Sequence, residues 1–253
     1  MTRLLGKQAA VPDPRVPSLK AVMETRAPPP PSSNWYAGVG EWPLLANDIA
    51  GDCVPAGALH CIAQRMTYAG KPVTFSDKDA LDLYSQWTGY NPDDPLTDNG
   101  TLMSDAMARW ARDGIALPDG GLDKPTAYVT VNHKSLTQLR LAIAQCGSVM
   151  MGINCPEAWL ETKYLMDILD SDMPTYVGGH CILLVGYLPT DLGVEFDVIS
   201  WGYRYRMTWR AMQRTADEAY AILDPDWLDK DGVNPGGVAW EDAEAAMAQI
   251  RAA

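Results

Sequence analysis

Two residues of this 253-residue chain have the type and setting for thiol chemistry, Cys53 and His180. A cysteine attacks a carbonyl carbon as its thiolate, and a base near the sulfur must take the proton and later return it. Cys53 lies in "NDIAGDCVPAGALH", residues 47–60, ahead of Val54, Ala58, Cys61, Ile62 and Met66, which recur at helical spacing. The spacing predicts a helix from Cys53 to about Tyr68 with Asp52 as its N-cap. The sulfur then sits at the positive end of the helix dipole, where a thiolate is stabilised. Asp52 opposes this by its own negative charge, unless capping the helix neutralises it.

The base follows by elimination, because the chain has three histidines. His60 is on the same predicted helix, roughly 10 Å along the axis from Cys53, beyond the ~3 Å reach of a general base. It is read as a core residue. His133, in "VNHKS" ahead of a helix starting at Ser135, is read as structural. His180 follows two glycines at the head of an apolar strand, where glycine lets another segment approach closely. The cysteines at 53, 61, 146, 155 and 181 lack the short paired spacing of a zinc site, so reduced thiols and no metal or cofactor are expected.

The elements that must position this pair change type along the chain. Residues 1–34 carry "VPDPRVP" and "APPPPSS" and read as a Pro-rich extended arm, either strapped to its own domain or gripping a protein partner. Residues 35–125 are mainly helical: after the Cys53 helix comes "SDKDALDLYSQW", with Ser76 and Asp79 as a capping box, then "TLMSDAMARWARDG". Residues 126–228 hold one helix, "SLTQLRLAIAQCG", and then the strand-like runs "SVMMGIN", "HCILLVGYL", "GVEFDVISWGYRYRMTW" and "EAYAILDPDW". A tail with a short amphipathic helix occupies 229–253. The order predicts an α+β fold, a helical lobe packed against an antiparallel β-sheet lobe.

Composition removes other classes. A net charge of −12 without a Lys/Arg block argues against nucleic acid. The longest apolar runs fall well short of the ~20 residues that cross a bilayer, so no membrane is expected. The charged, proline-rich start is unlike a secretory signal, and a cytoplasmic location is expected.

These segments, in this order, resemble the papain-like cysteine peptidases over residues 42–209. The resemblance implies that the Asn47 amide, six residues before Cys53, helps the Cys53 backbone N–H hold an oxyanion. It implies that "TDNGT" places Asn99 and Gly100 along a substrate cleft with Gly179, with Asp98 where the family has a loop cysteine. It also makes Trp201 of "VISWG" the shield of His180. In that motif Ile199 stands where the family has an amide that orients the histidine. Ser200 reaches the imidazole only if the strand turns by one residue, and Asp197 shares the alternating face of Ile199 and Trp201. Over the whole chain, "DPR", "NDxxGDC", "GGH" and "WGxxxxMTW" resemble uncharacterised papain-like proteins encoded by bacteria and bacteriophages. The implied activity is a cysteine peptidase or amidase acting on a peptide or amide substrate. The alternative is a weak or inactive papain-fold binding or structural protein, such as a phage virion or assembly component, located in the particle.

Overall fold

Strict alternation along one large sheet sorts the apolar side chains of this protein into two cores. The structure, a computed structural model, describes residues 2–22, 28–224, 227, 233 and 234. Among them the elements run α1 (Leu19–Val22), β1 (Ser33–Asn34), α2 (Cys53–Tyr68), α3 (Asp77–Thr88), α4 (Met103–Asp113), β2 (Ile115–Ala116) and β3 (Leu122–Asp123). They continue through β4 (Ala127–Thr130), α5 (Leu136–Cys146), β5 (Val149–Pro156), β6 (Leu165–Met166), β7 (Tyr176–Thr190), β8 (Gly193–Ser200), β9 (Tyr203–Thr208), α6 (Trp209–Thr215) and β10 (Ala216–Leu223). The sheet order is β4-β10-β5-β7-β8-β9-β6, with β1 on β7. Neighbours are antiparallel except the β6–β9 pair. This is the expected α+β architecture.

Met150, Cys181, Leu183, Val185, Ile199, Tyr220 and Ile222 face α2, α3 and α4 in one core. Their neighbours in sequence, among them Met151, Ile153, Ile182, Leu184, Val198, Ala219 and Ala221, face α5 and α6 in the other. Side chains on adjacent strand positions point to opposite faces, so a strand buried on both sides reads as a continuous apolar run, which is why "CILLV" is unbroken.

The predicted helix starts hold where the chemistry of capping holds. Ser76 Oγ accepts from Asp79 N and Asp79 reaches back to the Ser76 N–H, so the capping box of α3 is complete. Asp52 is different: it occupies the N-cap position of α2, but its side chain makes no cap bond. The long run from 193 to 209 is not one strand. Trp201 and Gly202, with φ of 45° and 73°, turn it into the β8–β9 hairpin, and Thr208 then caps α6 by accepting from Ala211 N, a helix the strand-like composition hid.

A buried ion cluster ties α2 to β3 and to the end of β10. Arg65 of α2 is fully buried and pairs with Asp123 at 2.9 Å and with Asp224, while Trp110 Nε1 donates to Asp123 at 2.7 Å. The arm, in its described part, lies on its own domain: Pro17 O accepts from Thr130 N, and Pro30 O accepts from Arg140 and Tyr187. Most of the tail assigned to 229–253, with its expected helix, lies outside the described residues.

Candidate active site

Cys53 is the first residue of α2, and the strand β7 crosses in front of it. The Cys181 N–H donates to Cys53 Sγ at 3.4 Å, so the sulfur meets the β7 backbone beside His180 and makes no hydrogen bond to the His180 ring. Cys53 and His180 are both buried, at 2% and 1% exposure. His60 and His133 take no part: His60 Nε2 is bonded to Pro43 O at 2.8 Å, against the edge of Trp42, and His133 is half-buried ahead of α5.

His180 is held on two sides. Its Nε2 is 2.7 Å from Ser200 Oγ, and the Trp201 ring stacks on it with centroids 4.1 Å apart and planes 11° apart. This corrects the expectation that Ser200 reaches the imidazole only through a turned strand. His180, Ile182 and Leu184 alternate onto the α5 side of the sheet, and so do Phe196, Val198 and Ser200 across the β7–β8 pairing, so regular pleating puts Ser200 beside the ring. Ile199 faces the other way, into the core under α2. Asp197 is unavailable, since Arg204 and Arg206 hold its carboxylate at 3.0 and 2.9 Å. His180 Nδ1 is buried without a hydrogen-bond partner.

Asn47 is buried, and its Nδ2 donates to Ala50 O at 3.3 Å. The two residues before it, Leu45 and Ala46, both adopt left-handed backbone, with φ of 56° and 63°. Non-glycine residues adopt this conformation at a cost of ~1–3 kcal/mol, and it persists only where the surroundings hold it. Here Ala46 N donates to Asp77 Oδ1 and Ala50 N to Ala46 O. With Trp201, the described non-glycine residues of positive φ all lie beside the site. Asp98 bridges the loops on either side of the thiol: its carboxylate accepts from Gly51 N and from Tyr84 Oη, which itself accepts from Gly100 N.

The cleft holds residues 3–8 of the chain itself, which the sequence did not foretell. Leu4 N donates to Asn47 O, Thr101 N to Gly6 O at 2.6 Å, Lys7 N to Gly179 O and Gln8 N to Thr101 O. Trp201 Nε1 donates to Leu4 O, and Arg3 spans Trp159 O and the Tyr205 hydroxyl with its guanidinium over the Trp201 ring. Asn99, Gly100 and Gly179 thus line the bed on which residues 6–8 lie: Asn99 O and Gly100 O accept from the Gln8 amide, and a Cβ at Gly100 or Gly179 would meet backbone oxygen of Gly6 or Lys7 at 2.2 Å. Gly6 crosses so close that a Cβ on it would lie 1.7 Å from Gly51 O.

This cover sets the charge states. Burial pushes the Cys53 thiol up to about 12, with Asp52 adding to the rise and the Cys181 and Gly6 N–H groups opposing it. Burial pushes His180 down to about 3, helped by the nearby Arg3 charge. Burial also lifts Asp52 to about 8, against the pull of the Asn47 amide, and neither Asp52 oxygen makes a hydrogen bond of ordinary geometry. In the covered site the thiol, the imidazole and, up to about pH 8, the carboxyl are neutral. No three or more His, Cys, Asp or Glu among the described residues group as a metal site.

No protein-family model and no curated protein matches the chain. Its architecture is nonetheless similar to solved structures. Xylellain, a cysteine protease from Xylella fastidiosa, matches at TM-score 0.67 with 15% identity, covering 88% of this chain and 98% of that one. Digestive procathepsin L 3 of Tenebrio molitor larval midgut matches at 0.59 with 15% identity, covering 88% and 76%. The ragweed pollen cysteine protease Amb a 11, in its proform, matches at 0.61 with 16% identity, covering 79% and 67%. The fold of this chain is papain-like.

Proposed function

We propose that this protein is a thiol hydrolase of peptide or amide bonds, with Cys53 as nucleophile and His180 as acid and base. The observation that carries the reading is the state of the His180 ring. Ser200 occupies Nε2 and Trp201 covers one face, so in the tautomer that donates from Nε2 the unpartnered Nδ1 is the atom left to take the thiol proton. The thiolate adds to the carbonyl carbon, forming a C–S bond, and the oxyanion is met by the Cys53 N–H and the Asn47 amide. Collapse breaks the C–N bond as His180 protonates the leaving amine. Water, deprotonated by His180, then cleaves the thioester and regenerates the thiol.

Residues 3–8 must leave for a substrate to enter, because they hold the hydrogen-bonding groups of the bed and cover the sulfur. Arg3→Ala/Lys7→Ala removes the side-chain anchors at both ends of this strap and leaves Cys53, His180, Asn47 and Ser200 in place; this is the opened chain. The opened chain is expected to cleave fluorogenic peptide amides, to form a trappable thioester visible by mass spectrometry, and to lose both with Cys53→Ala. A cleft filled by its own chain also fits the binding or assembly protein. That reading prevails if the opened chain binds peptides but neither cleaves nor acylates.

A further inference from the structure

Lys7 is a charged residue in an interior position. Its side chain is 0% exposed, and its ammonium lies 3.0 Å from Asp217 and 3.1 Å from Glu218, with the Gln8 carbonyl at 2.8 Å. Neighbouring residues of a regular strand face opposite sides, so one strand does not normally aim two adjacent carboxylates at one point. β10 manages it through a bulge: Ala216 pairs with Ile153 and Glu218 with Gly152, leaving Asp217 as the extra residue. Tyr220 Oη donates to the second Glu218 oxygen at 3.1 Å and fixes its orientation. The floor is Gly152, where a Cβ would lie 2.3 Å from Lys7 Cε.

We infer that the slot formed by Gly152, Asp217 and Glu218 is a specificity pocket for a basic side chain, lysine or arginine, of the peptide that this cleft cleaves, with Lys7 as its resident occupant. The inference rests on Cys53 being the nucleophile. The backbone of Lys7 is hydrogen-bonded to Gly179 and flanked by the bonds to Thr101, and Gly6 beside it crosses the thiol, so any peptide laid in the same bed lowers a side chain into this slot. Two carboxylates without a counter-cation in a buried slot are costly, and a cation that hydrogen-bonds to both relieves the cost. A leucine there leaves both charges unpaired, and a glutamate adds a third.

The test uses the Arg3→Ala/Lys7→Ala chain, which vacates the pocket and keeps Asp217 and Glu218, and a panel of fluorogenic tetrapeptide amides carrying Lys, Arg, Leu or Glu at each of the two positions before the scissile bond. At one of these positions Lys and Arg are expected to exceed Leu at least tenfold in kcat/KM, with Glu lowest, and the ratio should collapse in Arg3→Ala/Lys7→Ala/Asp217→Asn/Glu218→Gln. Cleavage without a basic preference, or a preference that survives the amide variant, overturns the pocket and leaves the hydrolase reading standing. Cleavage of no peptide defeats the hydrolase reading, and the pocket is then judged by ligand binding to the full-length Lys7→Ala chain. Millimolar n-butylammonium is expected to raise its Tm by about 2–4 °C, while n-butanol does not and Lys7→Ala/Asp217→Asn/Glu218→Gln does not respond. Equal response to the alcohol, or none to the amine, overturns the pocket.

Discussion

Ser200 Oγ stands 2.7 Å from His180 Nε2, on the face of the sheet that β7 and β8 share. A partner on Nε2 fixes both the tautomer and the plane of the imidazole, and loss of such a partner in a related triad costs ~10⁴ in turnover. In the opened chain Ser200→Ala is expected to lower kcat by about 10²–10⁴ and to move the limb of the pH–rate profile that reports the histidine. A fall in stability alone, with kcat and the profile unchanged, counts against an orienting role.

The same geometry gives an opposite expectation for the residue before it. Ile199 is 1% exposed in the core beneath α2, so Ile199→Asn buries an amide among Leu183, Val185 and Tyr220. An unpartnered buried amide costs ~1–3 kcal/mol, and this one points away from His180. The expected outcome, read by urea unfolding and kcat in the opened chain, is lost stability with no gain in turnover. A rise in turnover defeats the assignment of Ser200.

How much of this was legible in the sequence follows from the range over which each rule acts. The α2 start, the capping box at Ser76 and Asp79 and the apolar strands are local patterns, and they emerged as expected. The role of Ser200 was obscured because a motif aligned by position put Ile199 in the orienting place, whereas pleating alone decides which of two adjacent residues meets the ring. Lys7 and the Asp217–Glu218 pair lie about 210 residues apart in the chain, and the bulge that aims both carboxylates inward has no composition signal. Glu218 opens the strand-like run "EAYAILDPDW" and Asp217 falls just outside it, while "RLLGKQ", the part that enters the cleft, carries no pattern of its own beside the prolines of the arm.

The strap makes Cys53 slow toward electrophiles. With its thiol raised to about 12 by burial, little thiolate exists at pH 7.5, and each unit of pKa is a tenfold change in thiolate. Gly6→Val is expected to eject the strap, since its Cβ has no room against Gly51 O, and to raise the rate of iodoacetamide alkylation at Cys53 by ~10²-fold or more. Mass spectrometry of the Cys53 peptide reads the rate, and equal rates in the two chains exclude occlusion by residues 3–8.

Arg65 offers a stability test away from the site. Its guanidinium compensates Asp123 and Asp224 inside the protein, so Arg65→Ala leaves buried carboxylates without their cation. The expected loss is ~3–5 kcal/mol in urea unfolding, the usual cost of removing one partner of a buried pair. A loss under 1 kcal/mol excludes this ion pair as a tie between α2 and the sheet.

Asp52 sets an alkaline limit on the covered state. Its folded pKa, about 8, lies above the ~3.9 of an exposed aspartate, so folding favours the protonated form. The stability it contributes is complete below about pH 4 and is lost as pH rises toward 8, by about 1.4 kcal/mol per pH unit at the steepest. His60 and His180, held down to about 4 and about 3 by burial, act with the opposite sign: their contribution is present above about pH 6.5 and is lost as pH falls toward 4 for His60 and toward 3 for His180. The two effects overlap between pH 4 and 6.5, and burial raises Asp123, Asp197 and Glu218 in the same direction as Asp52, so the share of Asp52 is read against a variant that lacks it. Asp52→Asn keeps the shape and removes the titration. Its unfolding free energy is expected to fall less steeply between pH 6.5 and 8 than that of the parent chain; parallel profiles in that window show that Asp52 is not the group responsible.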